Sequence, residues 1–81
     1  ATHDDPLDLV EQGLTSEQLG RALGRLSANQ RDVVIMRFVN GMSIREVAEV
    51  MNKSQDSIKG LQRRALLALR EILVRWEVTN V

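Results

Sequence analysis

The 81-residue sequence predicts an all-α fold: a compact four-helix domain whose last two helices form a helix-turn-helix without a wing. Three observations lead there. The pattern S/T-x-x-E/Q occurs at Thr15–Gln18, Ser27–Gln30 and Ser43–Glu46, each time ahead of an apolar stretch of helical period. In that pattern the hydroxyl and the reaching Glu or Gln satisfy backbone N–H groups that a helix start leaves unpaired. Hydrophobic residues make up 43% of the chain but aromatics only 2%, so the core is built of Leu, Val, Ile, Met and Ala, which suits closely packed helices. Finally, SIREVAEVMNKSQDSIKGLQRRA (43–65) reads as a short amphipathic helix, a tight turn and a second helix that opens with polar residues.

The first helix is expected over about 16–25, with Leu19, Leu23 and Leu26 on one stripe. The second, over about 28–39, is crowded with Val33, Val34, Ile35, Met36, Phe38 and Val39, which marks it as central and buried. Asn40-Gly41 ends it, because glycine takes the left-handed conformation freely. The third, over about 44–51, buries Ile44, Val47, Ala48 and Met51 at helical spacing. Asn52 then turns the chain, asparagine being the next best left-handed residue after glycine. Ser54 is the expected N-cap of the fourth helix, and Asp56 in its first turn suits the helix dipole. This helix is expected to run to about Trp76 with an apolar stripe of Ile58, Leu61, Ala65, Leu69, Ile72 and Trp76, leaving residues 78–81 frayed.

Composition narrows the function. There is no cysteine, which excludes a disulfide framework and thiol catalysis and fits a reducing cytoplasm. No apolar run approaches the ~20 residues that span a bilayer, so no membrane insertion is expected. His3 is the single histidine, and no nucleophile–base set, phosphate-binding glycine loop or metal-ligand cluster is present. Neither catalysis nor a metal or other cofactor is therefore expected. Formal net charge is zero, but residues 1–20 carry five acids and no Lys or Arg, while all eleven Lys and Arg lie in residues 21–81 against six acids. The chain divides into an acidic leader, 1–14, and a mildly basic domain, 15–81. It begins at Ala1 rather than Met, as expected of a segment of a longer protein.

A helix-turn-helix offers the opening turns of its second helix to the DNA major groove. The residues so placed are Gln55, Asp56, Lys59, Gly60, Arg63 and Arg64. Arg and Lys bond guanine edges and Gln bonds adenine, and Arg63 follows Lys59 by four residues, on the same face. Gly60 costs about 1 kcal/mol of helix stability relative to Ala, which close approach of a ligand to the backbone would explain. Ser43 and Arg45 are candidates for phosphate, through backbone N–H groups and charge. Arg31 and Arg37 are read as surface residues. Leu67 and Val74 fall opposite the apolar stripe of the last helix, where they either rest on another part of the fold or form a patch for a protein partner. Leu19 and Leu23 are the matching partner candidates on the first helix.

Residues 26–73 resemble region 4 of the bacterial sigma-70 family, in particular its extracytoplasmic-function group. The resemblance is carried by Leu26-Ser27, Gln30-Arg31, Gly41-Met42-Ser43, Val47-Ala48-Glu49, Ser57-Ile58-Lys59, Arg64-Ala65 and Leu69-Arg70. It implies a module that recognises the −35 promoter element within RNA polymerase holoenzyme, grips the flap of the polymerase β subunit through an apolar surface and is sequestered by an anti-sigma factor. Carried over position by position, it puts base and backbone contacts at Lys59, Gly60, Arg63 and Arg64. The chain departs from many relatives at Gly60-Leu61-Gln62, where they have Ser-Arg-Leu, so one hydroxyl and one basic contact are absent. Two other readings stay open: a LuxR-type or other helix-turn-helix regulator that acts without polymerase, and a sigma-like mimic that binds an anti-sigma factor and no DNA.

Overall fold

A computed structural model describes residues 15–79, with side chains for residues 15–76. The acidic leader and the last two residues lie outside the described residues. Within them the chain forms four helices and no strand: α1 (Ser16–Leu23), α2 (Ala28–Val34), α3 (Ile44–Met51) and α4 (Gln55–Thr79). The all-α, four-helix architecture is the expected one. α2 does not stay regular, however. It runs on as a π-helical segment, Ile35–Val39, in which the Asn40 N–H reaches back five residues to the Ile35 carbonyl.

All three expected capping boxes are present. Thr15, Ser27 and Ser43 accept from the backbone N–H three residues on, and Gln18, Gln30 and Glu46 accept from the backbone N–H of the capping residue. α4 starts differently: the Ser54 hydroxyl accepts from the Ser57 N–H at 3.1 Å and donates to the Ser57 hydroxyl oxygen at 2.9 Å. Both left-handed positions fall where the sequence put them, at Gly41 (φ 69°) and Asn52 (φ 54°). At Asn52 the Lys53 N–H reaches the Ala48 carbonyl at 3.0 Å, closing the last turn of α3 before the chain reverses.

Two apolar clusters hold the helices. Val33, Val47, Ala48 and Ile58 form one, edged by Met36, Met42, Ile44, Met51 and Leu61. Ala22, Leu26, Val34, Ala65 and Leu69 form the other, edged by side chains that include Phe38, Ile72 and Trp76. The adjacent Val33 and Val34 thus feed different clusters, and α4 spans both.

Four expectations need correction. α1 ends at Leu23, so Leu26 is buried from the turn that follows rather than from a helical stripe. α4 continues past Trp76 to Thr79, so residues 78 and 79 are helical rather than frayed. Val39, read as core, is 66% exposed. Arg37, read as a solvated surface residue, is half-buried and bonded. In an unbroken α-helix Arg37 would fall four residues after Val33 and three after Val34, on the stripe both bury. In the widened turn Arg37 sits half-buried at the rim and Phe38 packs against the second cluster. Val39, six residues past Val33 and five past Val34, faces away from both even at regular helical spacing.

Asn52 gives a direct test of the turn. Asn52→Val should destabilise the domain by about 1–2 kcal/mol, because a β-branched side chain resists positive φ. Asn52→Gly should stay within a few tenths of a kcal/mol of the parent. Urea midpoints compare the two.

Candidate nucleic-acid interface

The start of α4 faces two ways. Ile58 is fully buried against Val33, Val47 and Ala48, and Ala65 and Leu69 continue the buried stripe. Residues about half a turn away must then point to solvent, and Asp56, Lys59, Arg63 and Arg64 are all exposed. Gln55, the first residue of the helix, is exposed beside them. The structure thus brings the six α4 candidates together on one outward surface. The exposed Lys53, in the turn just before, adds a cation that the helical pattern did not flag because it belongs to neither helix.

Gly60 sits in the middle of this surface with an ordinary helical backbone. A β-carbon built there would have its three nearest neighbours in the Arg64 guanidinium, the closest at 3.4 Å from Nη1. Nothing in the fold requires glycine at this position. Its effect is to leave a half-buried stretch of backbone between Lys59 and Arg63 that only the flexible Arg64 guanidinium covers.

The start of α3 supplies the second part. Ser43 and Arg45 are exposed. Ser43 is committed to capping: its hydroxyl accepts from the Glu46 N–H at 3.1 Å, and its own N–H donates to Glu46 Oε1 at 2.9 Å. Arg45 pairs with Glu49 one turn on at 3.7 Å, both side chains being largely in solvent. Such an exposed pair contributes little and yields readily to a stronger anion.

The partner-surface candidates separate. Leu67 and Val74 are 50% and 52% exposed, on the same outward stripe as Arg63, and line an open groove with Arg70, Glu71 and Arg75. Leu19 and Leu23 are half-buried, and Leu23 packs against the second cluster. Among the described residues no three His, Cys, Asp or Glu side chains gather as a metal site, and no helix is long and apolar enough to cross a membrane.

A capped helix, a left-handed asparagine turn and a following helix with its cations outward define a helix-turn-helix domain. The family model for sigma-70, region 4 matches residues 22–71, and the chain belongs to that family. It is 40% identical over 68 residues to the ECF RNA polymerase sigma factor BldN of Streptomyces coelicolor, covering 84% of this chain and 26% of that protein. It is 35% identical over 66 residues to the ECF RNA polymerase sigma factor SigX of Bacillus subtilis, covering 82% of this chain and 34% of that one. These relatives put the resemblance in the extracytoplasmic-function group. The chain therefore spans about a quarter to a third of the relatives it matches. No solved structure is significantly similar to it.

The Glu46 carboxyl is held below its ordinary value of 4.5, first by the Ser43 backbone N–H and then by the Ser43 side chain. A carboxylate with a lowered value in the folded state stabilises fully above its unfolded value, and loses that contribution as pH falls through the folded one. The stability difference between the parent and Glu46→Gln, which keeps an acceptor but no charge, should therefore be present at neutral pH and disappear in acid. Urea unfolding across the acid range measures it.

Proposed function

We propose that this chain is the −35-reading module of an extracytoplasmic-function sigma factor, and that it helps direct RNA polymerase to its promoters at transcription initiation in the cytoplasm. Lys59 and Arg63 read base edges in the major groove, Gln55 and Asp56 tune the choice of sequence, and Arg64 contacts a base edge or phosphate. Gly60 lets the duplex approach the helix backbone. Arg45 holds phosphate at the start of α3, which the Ser43 cap keeps in place. The observation that carries this reading is the direction of the opening turns of α4: Ile58 is sunk in the core while Lys59, Arg63 and Arg64 stand in solvent.

Leu67 and Val74 support a second contact. Two half-exposed apolar side chains one heptad apart, on a stripe shared with cations, suit a protein surface. The flap of the polymerase β subunit and an anti-sigma factor are the partners we assign to it. Retention on core polymerase separates this reading from that of a free-standing LuxR-type regulator, and duplex binding separates it from that of a DNA-less anti-sigma mimic.

Arg63→Ala should lose about 1–3 kcal/mol on the preferred duplex and relax one base position, whereas an equal loss on random duplex would mean a phosphate contact alone. Binding of the parent should weaken steeply as salt rises, because cations on phosphate release counterions; a flat salt dependence would remove the DNA reading. Gly60→Ala separates fold from function. It should stabilise the domain by up to about 1 kcal/mol while weakening duplex binding, as read by thermal denaturation and fluorescence anisotropy on the same samples.

A further inference from the structure

Arg37 joins three parts of the domain. It lies in the π-helical segment, half-buried, with its guanidinium carbon 5.5 Å from the Phe38 ring centre. Its Nη1 donates to the Met42 carbonyl at 2.6 Å, and its Nε donates to Gln62 Oε1 at 3.1 Å. Met42 immediately precedes Ser43, the cap of α3. Gln62 lies in the second turn of α4, between Lys59 and Arg63 in sequence. A single planar group therefore connects the phosphate-facing start of α3 to the base-facing part of α4.

The apolar cluster between α3 and α4 fixes which face of α4 is buried through Val33, Val47 and Ile58, and Arg37 adds a directional contact at its rim. The cluster between α3 and α4 is edged by Met36, Met42 and Met51, whose unbranched side chains adapt to small shifts instead of resisting them. Among the described residues no polar side chain is fully buried in either core, so the part-buried Arg37 contacts lie at the rim of the packing. A guanidinium with two donors engaged is directional and resists both sliding and rotation.

We propose that Arg37, acting through Gln62 and the Met42 carbonyl, is a positioning residue for sequence discrimination: it sets the spacing and rotation of the start of α3 against the reading face of α4 without itself touching a base. The proposal rests on the duplex-reading role above. It assigns Gln62, at one of the positions where the chain departs from the run resembled, to the interior of the device and not to the DNA.

The test compares a duplex selected by the parent chain from a random pool with a scrambled duplex of the same length, at a temperature where circular dichroism shows every variant folded. Arg37→Met and Gln62→Leu should each lose about tenfold on the selected duplex and less than about twofold on the scrambled one. The double variant should lose no more than Arg37→Met alone. Arg37→Lys, which keeps the charge but not the fork, should not restore the preference. Equal losses on both duplexes, additive losses in the double variant, or full restoration by Arg37→Lys would overturn the proposal, since each points to charge or bulk stability instead of geometry. Should Arg37→Met fail to fold, Gln62→Leu and Arg37→Lys decide the matter by the same criteria. A parent chain with no preference among duplexes would refute the duplex-reading role itself, a distinguishable result.

Discussion

Everything outward-facing on this domain depends on the burial of Ile58. It is wholly enclosed by Val33, Val47 and Ala48 in the opening turn of α4, which ties that turn to α2 and α3 at once. With 3.6 residues per turn, sinking one residue decides where its neighbours point. Lys59 and Arg63 are turned outward because Ile58 is turned inward. The same choice is repeated at Ala65 and Leu69, so the helix keeps one dry face and one wet face over its described length.

α2 is where the fold meets its main conflict. Val33 and Val34 must serve two clusters, and the residue that would next fall on their stripe is an arginine. Burying an unpaired guanidinium costs several kcal/mol, far more than disturbing one helical turn. The π-helical segment resolves the conflict: Phe38 takes the inward position, and Arg37 swings to a rim where two oxygen acceptors meet it. π-Turns often mark functional places in helices, and this one lies directly before the helix-turn-helix.

Net charge hides the electrostatic design of the chain. The balance is zero because five acids before residue 21, with no cation among them, offset the excess of eleven cations over six acids after it. Within the domain, Lys53, Lys59, Arg63 and Arg64 are spread over the turn and the opening of α4, while Glu46 and Glu49 are engaged locally with Ser43 and Arg45. The surface this leaves is modestly cationic. It suits the duplex contact proposed for this face.

Much of this was legible in the order of residues, because the signals are local. A capping box needs only a hydroxyl and an acceptor three positions on, and Thr15, Ser27 and Ser43 all form one. The turn at Asn52 follows from its tolerance of positive φ, and the buried stripe of α4 from spacing alone. Likewise, once Ile58 is assigned to the core, the outward position of Lys59 and Arg63 follows by counting. What the sequence could not show is how helices distant along the chain meet. The π-helical segment exists because α2 is shared between two clusters whose other members lie up to 35 residues away. The pairing of Arg37 with Gln62, 25 positions apart, is visible only once α2 and α4 are packed. Periodicity determined which face of each helix is dry; tertiary packing alone decided where a helix had to break its own period to keep a charge out of the core.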